Sequence, residues 1–453
     1  MADAENPFLC GNYQPVTSEL TQFDLHAQGQ IPLALSGTYL RTGPNPQRDF
    51  APPNHHWFNG QGMLHGVALR GGRAEWYKAR WVGMADVESQ LTSTSAISIA
   101  QGSGNNSVFV HGGRTYAISD QSQPIEISPS LTTVARQDFG GHLLVGMNSH
   151  PKVDPTDGSL HTLGYDVEHA ELRYLGVDRN GKTTSCATIP VQRPIMVHEF
   201  LITKRHLIFF DLPVVLDMEV AFSGDPVPYR WSSKHDARIG VAPRSSPASV
   251  EWFSIDPCFV LHGFNAYDDG ADIVLDVVCH DRMFHKCHFG PGESAPRVVR
   301  WRVMRRAGRV VADTFDAAPQ EFPTINPRFI GQAHRFGYSV GCSRQAGSIN
   351  HFSSNVLIKH DFVRASQEYV QLGSTVQASE FVFVPRPKGR SEDDGWLLGY
   401  AYDNETQTSE LLIFAADQPS VGPLARVELP RRVPFGFHGA WVSKSESQDG
   451  QLH

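Results

Sequence analysis

The stretch Asp393-Asp394-Gly395-Trp396-Leu397-Leu398-Gly399-Tyr400 places a polar turn directly before a run of strand-forming residues. The same turn-then-strand form occurs in residues 157–165, 205–210 and 268–275. The four strands begin near residues 160, 207, 272 and 396, at intervals of 47, 65 and 124 residues, the last being about two units of 62. One four-stranded unit in about every 45–60 residues is typical of a β-propeller. Helical periodicity is scarce, so the pattern predicts an all-β fold of about seven blades.

No linker divides this pattern. The chain has 453 residues, enough for two or three ordinary domains, but propellers outgrow the usual domain size. We therefore expect one propeller domain over residues 1–453, with a polar, frayed tail at 443–453. Because the inner strands of all blades converge on one axis, side chains far apart in sequence can meet there.

The composition excludes several classes of protein. The net charge of -8 comes from 39 basic and 47 acidic residues without long runs of one sign. Phosphate contacts need clustered Lys and Arg, so no nucleic-acid partner is expected. No segment approaches the roughly 20 apolar residues of a transmembrane helix, and the first residues lack the pattern of a secretory signal. The six cysteines are scattered, which favours a reducing, cytoplasmic location.

Histidine is unusually frequent, with 21 copies. Four of them lie in or beside strand-like apolar motifs, at spacings of 48, 64 and 176 residues: His150, His198, His262 and His438. These spacings are consistent with one histidine from each of four blades, whose imidazoles could enclose one metal ion. Any one of them taken alone is more often a hydrogen-bonded core histidine than a metal ligand.

Together, the motifs around these histidines resemble, in order and local sequence, those of the carotenoid cleavage dioxygenase family. The resemblance runs nearly end to end and includes five further segments in family order: residues 37–46 (GTYLRTGPNP), 56–65 (HWFNGQGMLH), 238–244, 321–328 and 383–395. The family fold is a seven-bladed β-propeller with short helices and loops capping its top face, which agrees with the repeat pattern.

The resemblance implies one Fe(II) per chain, bound by His150, His198, His262 and His438. Four neutral imidazoles leave open coordination positions on the ion, so carboxylates then lie outside the ligand set. Three carboxylates are implied as hydrogen-bond acceptors for the ligands' other ring nitrogens: Glu321, Glu380 and Asp120. Asp120 stands where the family usually has Glu, so we expect it to reach its histidine imperfectly or through water.

The reaction implied by the resemblance is cleavage of a conjugated C=C bond by O2 into two carbonyl products. The substrate is a small apolar alkene, with a carotenoid or apocarotenoid favoured, and no organic cofactor is implied. One alternative is cleavage of stilbenes or phenylpropenes, and another is a non-catalytic propeller that binds ligands or proteins. Iron content separates enzyme from binding module, and product analysis with candidate alkenes separates the substrate classes.

Two positions bear on the substrate. Stilbene-cleaving relatives hold the 4-hydroxyl with a Tyr and a Lys; Ser119 stands at the Lys position, and the Tyr has no secure counterpart. Trp81 is the nearest aromatic candidate for that wall of the pocket, the alternative being an ordinary packed strand tryptophan. Residues 83–104 are rich in Ser, Thr and Gln, so they offer little to insert into a bilayer and at most peripheral membrane contact is expected. This stretch favours a smaller or partly polar substrate and leaves apocarotenoids open. The loss of both polar anchors, Tyr and Lys, favours an apolar polyene over a phenol.

A compact group, Cys279-His280, His285 and Cys287-His288, also invites a metal interpretation. Zinc sites usually take two separated ligand pairs at recognised spacings. This group is a single stretch after the apolar strand 273–278, where the family has a variable loop. We therefore expect a surface loop rather than a zinc site.

Overall fold

The protein folds as seven antiparallel β-sheets arranged as the blades of a propeller. The computed structural model describes residues 6–46, 54–83, 102–143, 145–286, 293–341 and 355–444. The predicted all-β, seven-bladed fold is confirmed. None of the helices in this part of the chain is long and apolar enough to cross a bilayer. Most of the predicted tail (443–453) and of the Ser-rich stretch (83–104) lies outside the described residues.

Each blade has four to six strands, and the blades are numbered here in chain order. The strands are, in blade 1, β1 (Leu20–Leu25), β3 (Gly37–Pro44), β4 (Gly62–Arg70), β5 (Arg73–Trp81) and β33 (Gly439–Ser443); in blade 2, β6 (Ser107–His111), β7 (Arg114–Ile118), β8 (Ile125–Ile127) and β9 (Thr133–Arg136); in blade 3, β10 (Lys152–Val153), β11 (Leu160–Asp166), β12 (Glu171–Val177) and β13 (Thr183–Pro190); in blade 4, β14 (Leu201–Ile202), β15 (His206–Asp211), β18 (Arg238–Pro243) and β19 (Glu251–Ser254); in blade 5, β20 (Phe259–Asp269), β21 (Asp272–His280), β22 (Arg297–Met304) and β23 (Arg309–Asp316); in blade 6, β24 (Gln320–Thr324), β25 (Phe336–Gly341), β26 (Val356–Asp361) and β27 (Ser366–Gln371); and in blade 7, β2 (Ala27–Gly29), β28 (Val376–Ala378), β29 (Val382–Pro385), β30 (Gly395–Asp403), β31 (Thr408–Ala415) and β32 (Ala425–Glu428).

Blade 4 carries an excursion between β15 and β18. The excursion consists of a two-stranded ribbon, β16 (Val214–Leu216) with β17 (Tyr229–Trp231), and the short helix α1 (Met218–Phe222). The Asp217 side chain caps α1 by accepting hydrogen bonds from two backbone N–H groups of its first turn. The described chain also has five short 3-10 turns: Pro7–Leu9, Gly11–Tyr13, Arg305–Ala307, Pro327–Phe329 and Pro419–Val421.

The blades pack face to face, so their central strands are apolar on both faces. In β30, Trp396, Leu398 and Tyr400 enter the core shared with blade 1, whereas Leu397 and Ala401 enter the core shared with blade 6. This alternation follows from the two-residue period of a strand. It explains why the turn-then-strand motif is apolar without a break.

The ring is closed by strands from distant parts of the chain. β33 pairs with β3, from Gly37 opposite Ser443 to Arg41 opposite Gly439. In the neighbouring blade 7, β2 pairs with β32. Two adjacent blades therefore each combine early and late strands, and opening the ring requires the loss of both sets of backbone hydrogen bonds.

The compact Cys/His group lies only partly on the surface. Cys279 and His280 end β21 and are 3% and 0% exposed. The surface-loop expectation is wrong for these two residues, because β21 extends two residues beyond the apolar run 273–278. His285 is exposed, and Cys287-His288 lies outside the described residues.

The closure of the ring can be tested at Gly439. A Cβ atom at Gly439 would lie 2.4 Å from the carbonyl oxygen of Leu40, across the β3–β33 pairing. We expect Gly439→Ala to lower the free energy of unfolding by about 1–3 kcal/mol, the usual cost of overpacking, because backbone atoms cannot yield as a side chain can. Denaturant unfolding measures this loss. Gly83→Ala is the control, because its Cβ would meet only Thr133 Oγ1, at 3.8 Å; equal losses in both variants would contradict the prediction.

Candidate metal centre

Four histidines from four blades meet at the propeller axis. His150, His198 and His438 lie shortly before the inner strands β10, β14 and β33, and His262 lies within β20. One ring nitrogen of each lies within 4.8 Å of the others, and the Nε2 atoms of His150 and His198 are 3.1 Å apart. The structure therefore brings together the four histidines that the sequence predicts as ligands.

Three of the four rings are each hydrogen-bonded through Nδ1 to a carboxylate of their own. The pairs are Glu321 with His262 at 2.6 Å, Glu380 with His438 at 2.8 Å, and Asp120 with His198 in direct contact. The expectation that Asp120 would reach its histidine imperfectly or through water is wrong, because the turn after β7 carries its backbone close enough for the shorter side chain. A carboxylate at Nδ1 fixes the Nδ1–H tautomer and leaves Nε2 free to face a metal ion.

These carboxylates are anchored by further hydrogen bonds. Glu380 also accepts from the backbone N–H of Gly439 at 2.7 Å. Asp120 accepts from the backbone N–H and the hydroxyl of Ser149, both at 2.6 Å. Glu321 accepts from His280 Nε2 at 2.8 Å, so the buried histidine of the Cys/His group supports this centre. Charge-assisted bonds of this kind are shorter and stronger than neutral ones, and they fix the carboxylates in place.

Burial lowers the pKa of two of the rings, those of His150 and His262. Burial, followed by the neighbouring histidines, holds the pKa of His150 well below its usual range, and burial lowers the pKa of His262 to about 3 despite its contact with Glu321. For His198, burial acts in the same direction but is outweighed by the charge and hydrogen bond of Asp120, so its pKa is raised. A metal ion at Nε2 competes with that proton, since the neutral imidazole is the form that binds metal.

Every blade contributes one group to this arrangement. The histidines come from blades 1, 3, 4 and 5, and the carboxylates come from the three remaining blades: Asp120 follows β7 of blade 2, Glu321 lies in β24 of blade 6, and Glu380 lies between β28 and β29 of blade 7. Each carboxylate therefore reaches across to a histidine of a different blade.

A buried ion pair beside the centre is absent from the sequence-based predictions. Lys152 Nζ lies 2.7 Å from Glu199 Oε1, and the two side chains are 15% and 2% exposed. Glu199 directly follows His198, and Lys152 lies two residues after His150. The available signal was a charged residue inside an apolar run, Met196-Val197-His198-Glu199-Phe200; its partner was not recognisable, because it comes from another blade.

The donor set and the surrounding charges fit a divalent cation. His262 Nε2 is buried without a hydrogen-bond partner, and within the described chain these four histidines are the one group at metal-binding spacing. The charged side chains beside the histidines include four carboxylates and two cations: Asp120, Glu199, Glu321 and Glu380, and Lys152 and Arg41. Arg41 donates a hydrogen bond to Ser379, the residue before Glu380. A divalent ion bound by neutral imidazoles would offset this excess of negative charge.

A cavity of about 640 Å³ opens onto the imidazoles. His198, His262 and His438 form part of its wall. Most of the remaining exposed lining is apolar and comes from Phe58, Met196, Leu261, Phe322 and Phe437, together with Val227 of the blade 4 excursion. A second cavity, of about 480 Å³, is lined by His150, Lys152 and Glu380 and also by His438. The centre therefore lies between two cavities, and the first has the apolar lining that suits an alkene.

The structure separates the two positions predicted to contact the substrate. Ser119 lines the 640 Å³ cavity, but its hydroxyl donates to Asn105 Oδ1 at 2.9 Å and accepts from the Asn105 backbone N–H at 3.2 Å. Trp81 is not among the described residues that line this cavity; it packs against the core of blades 1 and 7, as in the packed-strand alternative. Tyr229, which the sequence did not single out, lines the cavity, and burial raises its pKa.

Known proteins resemble this chain over nearly its whole length. The family model described as retinal pigment epithelial membrane protein matches residues 13–443. A carotenoid cleavage oxygenase of Mycobacterium tuberculosis is 36% identical, covering 97% of this chain and 98% of its own. An isoeugenol monooxygenase of Pseudomonas putida is 27% identical, covering 98% and 99%. The crystal structure of a lignostilbene dioxygenase of Pseudomonas brassicacearum shares the fold, with a TM-score of 0.88 at 24% identity, covering 97% of this chain and 99% of that one. The chain belongs to the retinal pigment epithelial membrane protein family, the family of the carotenoid cleavage oxygenases.

Proposed function

We propose that this protein is an iron(II)-dependent dioxygenase that cleaves a conjugated C=C bond of a carotenoid or apocarotenoid into two carbonyl products. The observation that carries the proposal is the position of three imidazoles, those of His198, His262 and His438, in the wall of a largely apolar cavity. A metal at their Nε2 atoms would then be in reach of an alkene in that cavity. The 36% identical relative named as a carotenoid cleavage oxygenase supports the same reaction.

One Fe(II) per chain is the proposed cofactor, held by His150, His198, His262 and His438. When bound, the iron supplies the redox chemistry that activates O2. The residues of the chain do the rest. The three carboxylates keep the ring tautomers fixed, and the aromatic wall of Phe58, Phe322 and Phe437 orients the alkene and excludes water. Orientation decides which bond lies over the metal, so the cavity shape determines the product.

Cleavage of a phenylpropene or stilbene is the second candidate. Two observations favour it: the 27% identical isoeugenol monooxygenase and the Tyr229 hydroxyl. Tyr229 lines the cavity, and its hydroxyl has no hydrogen-bond partner among the described residues, so it is free to bind a substrate oxygen. Against this candidate, the Ser119 hydroxyl is already committed to Asn105. A phenol placed at Ser119 would therefore find a poor partner, whereas a polyene would not need one.

The ligand assignment predicts the behaviour of His262→Ala. We expect wild-type protein to hold about one iron per chain, and His262→Ala to lose most of that iron and its alkene-cleaving activity, because a buried ligand with its own carboxylate is removed. Metal analysis and product analysis by mass spectrometry measure both. His169→Ala, at an exposed histidine, should retain both. Full iron and activity in His262→Ala would show that the assignment is wrong.

The supporting carboxylates should affect metal binding through the rings that they hold. We expect Glu380→Gln and Asp120→Asn each to weaken iron binding or turnover by about 10–100-fold. Asp120 should match Glu380 because it contacts its histidine directly and also binds Ser149 twice. Chelator competition gives the affinity. Negligible effects from both variants would mean that these carboxylates do not tune the ligands.

The substrate proposal predicts a preference for an apocarotenal over resveratrol in kcat/KM at equal iron loading. A buried hydroxyl without a good partner costs on the order of 1–3 kcal/mol, which is roughly 5- to 150-fold in relative affinity. Ser119→Ala should leave the preference unchanged. If resveratrol is preferred and Tyr229→Phe abolishes that preference, the phenol is anchored at Tyr229 and the second candidate is correct.

A further inference from the structure

His150 is the one ligand of the four that lacks a carboxylate on its ring. Glu321, Glu380 and Asp120 serve His262, His438 and His198. Among the described residues, no carboxylate oxygen lies within 4.0 Å of a His150 ring nitrogen. Its position must therefore be set by the segment that carries it, residues 149–153. Ser149, directly before His150, donates hydrogen bonds to Asp120. Lys152 lies two residues after His150.

Lys152 joins the His150 segment to the segments of two other ligands. Its Nζ lies 2.7 Å from Glu199 Oε1. The Glu199 carboxylate also accepts from the backbone N–H of Gly263 through Oε2 at 3.0 Å and from the backbone N–H of Phe200 through Oε1 at 2.9 Å. Glu199 directly follows His198, and Gly263 directly follows His262. One buried carboxylate thus connects blades 3, 4 and 5 immediately beside three metal ligands.

The geometry points to the Lys152–Glu199 pair as the positioning device for His150, taking the place of the carboxylate that this ligand lacks. This inference rests on the proposed metal role of the four histidines. Neither Lys152 nor Glu199 is among the described residues that line the 640 Å³ cavity, so the pair acts by fixing the distance between the His150 strand and the His198 and His262 strands. A buried ion pair suits that task, because both groups are desolvated and each strongly prefers its partner to any other position.

The structure offers a matched control for the loss of a buried lysine. Lys359 Nζ lies 2.8 Å from Asp393 Oδ2, with side chains 10% and 14% exposed, in blade 6 and away from the four histidines. Lys152→Met leaves the buried Glu199 without its cation, and Lys359→Met does the same to the largely buried Asp393, so both should lower stability toward denaturant. Only Lys152→Met should affect the metal.

The test compares metal affinity and ligand number in these variants. We expect Lys152→Met to weaken Fe(II) binding by about 10–100-fold in chelator competition, the range seen when a supporting partner of a ligand is lost. X-ray absorption on the loaded protein should count three histidines instead of four. Lys359→Met should keep wild-type affinity and four histidines, and Lys152→Arg, whose side chain can still reach Glu199, should recover most of the affinity. Identical metal binding in Lys152→Met and Lys359→Met would overturn the inference.

A double variant separates positioning from charge compensation and keeps the test valid if Lys152→Met does not fold. Lys152→Met/Glu199→Gln removes both charges, so stability should largely recover, while metal affinity should stay low because the link between the segments is gone. Recovery of wild-type affinity in the double variant would show that the pair only balances charge. Failure of wild-type protein to bind iron at all is a different outcome and refutes the proposed function instead.

Discussion

The structure depends on one constraint: imidazoles from four separate strands must present Nε2 to a single point without any main-chain connection between them. A lone imidazole on a strand can rotate about two side-chain torsions and can adopt either tautomer. A partner at Nδ1 removes both freedoms. In the propeller, four blades carry the imidazoles, and the other three carry the carboxylates that accept hydrogen bonds from three of them.

The same constraint explains why so many charges are buried near the axis. A buried carboxylate is costly unless it is paired and hydrogen-bonded. Glu321 is 0% exposed and binds two histidines and a backbone N–H. Glu199 is 2% exposed and binds Lys152 and two backbone N–H groups. Each charge is thus satisfied locally, and the remaining negative balance favours a dication over a monocation at the centre.

The sequence predicted the fold and the contents of the site better than it predicted the contacts. The seven blades follow from a repeat of turn and apolar strand, as in residues 393–400. The meeting of the four histidines and the contacts of Glu321 and Glu380 with two of them follow from motifs. The reach of Asp120 could not be judged, because it depends on where the turn after β7 places the backbone and not on side-chain length alone. The sequence did not predict the contacts of Lys152 with Glu199 and of His280 with Glu321. Each contact joins two blades, and the position of one blade relative to another is set by packing, which the sequence pattern does not reveal. Trp81 was a candidate for a pocket wall with a packed strand tryptophan as the alternative, and the structure packs it against the core of blades 1 and 7.

The closure of the ring by β3 and β33 has a consequence for the order of events during synthesis. His438 lies directly before β33, and β33 finds its partner in β3, which is made some 400 residues earlier. Chains fold from the N-terminal side as they are made. Blade 1 therefore lacks its strand β33 until the other blades have been synthesised. His438, the fourth histidine of the site, is synthesised directly before that strand. A site made of all four histidines can therefore be complete only once the segment that pairs with β3 has been synthesised.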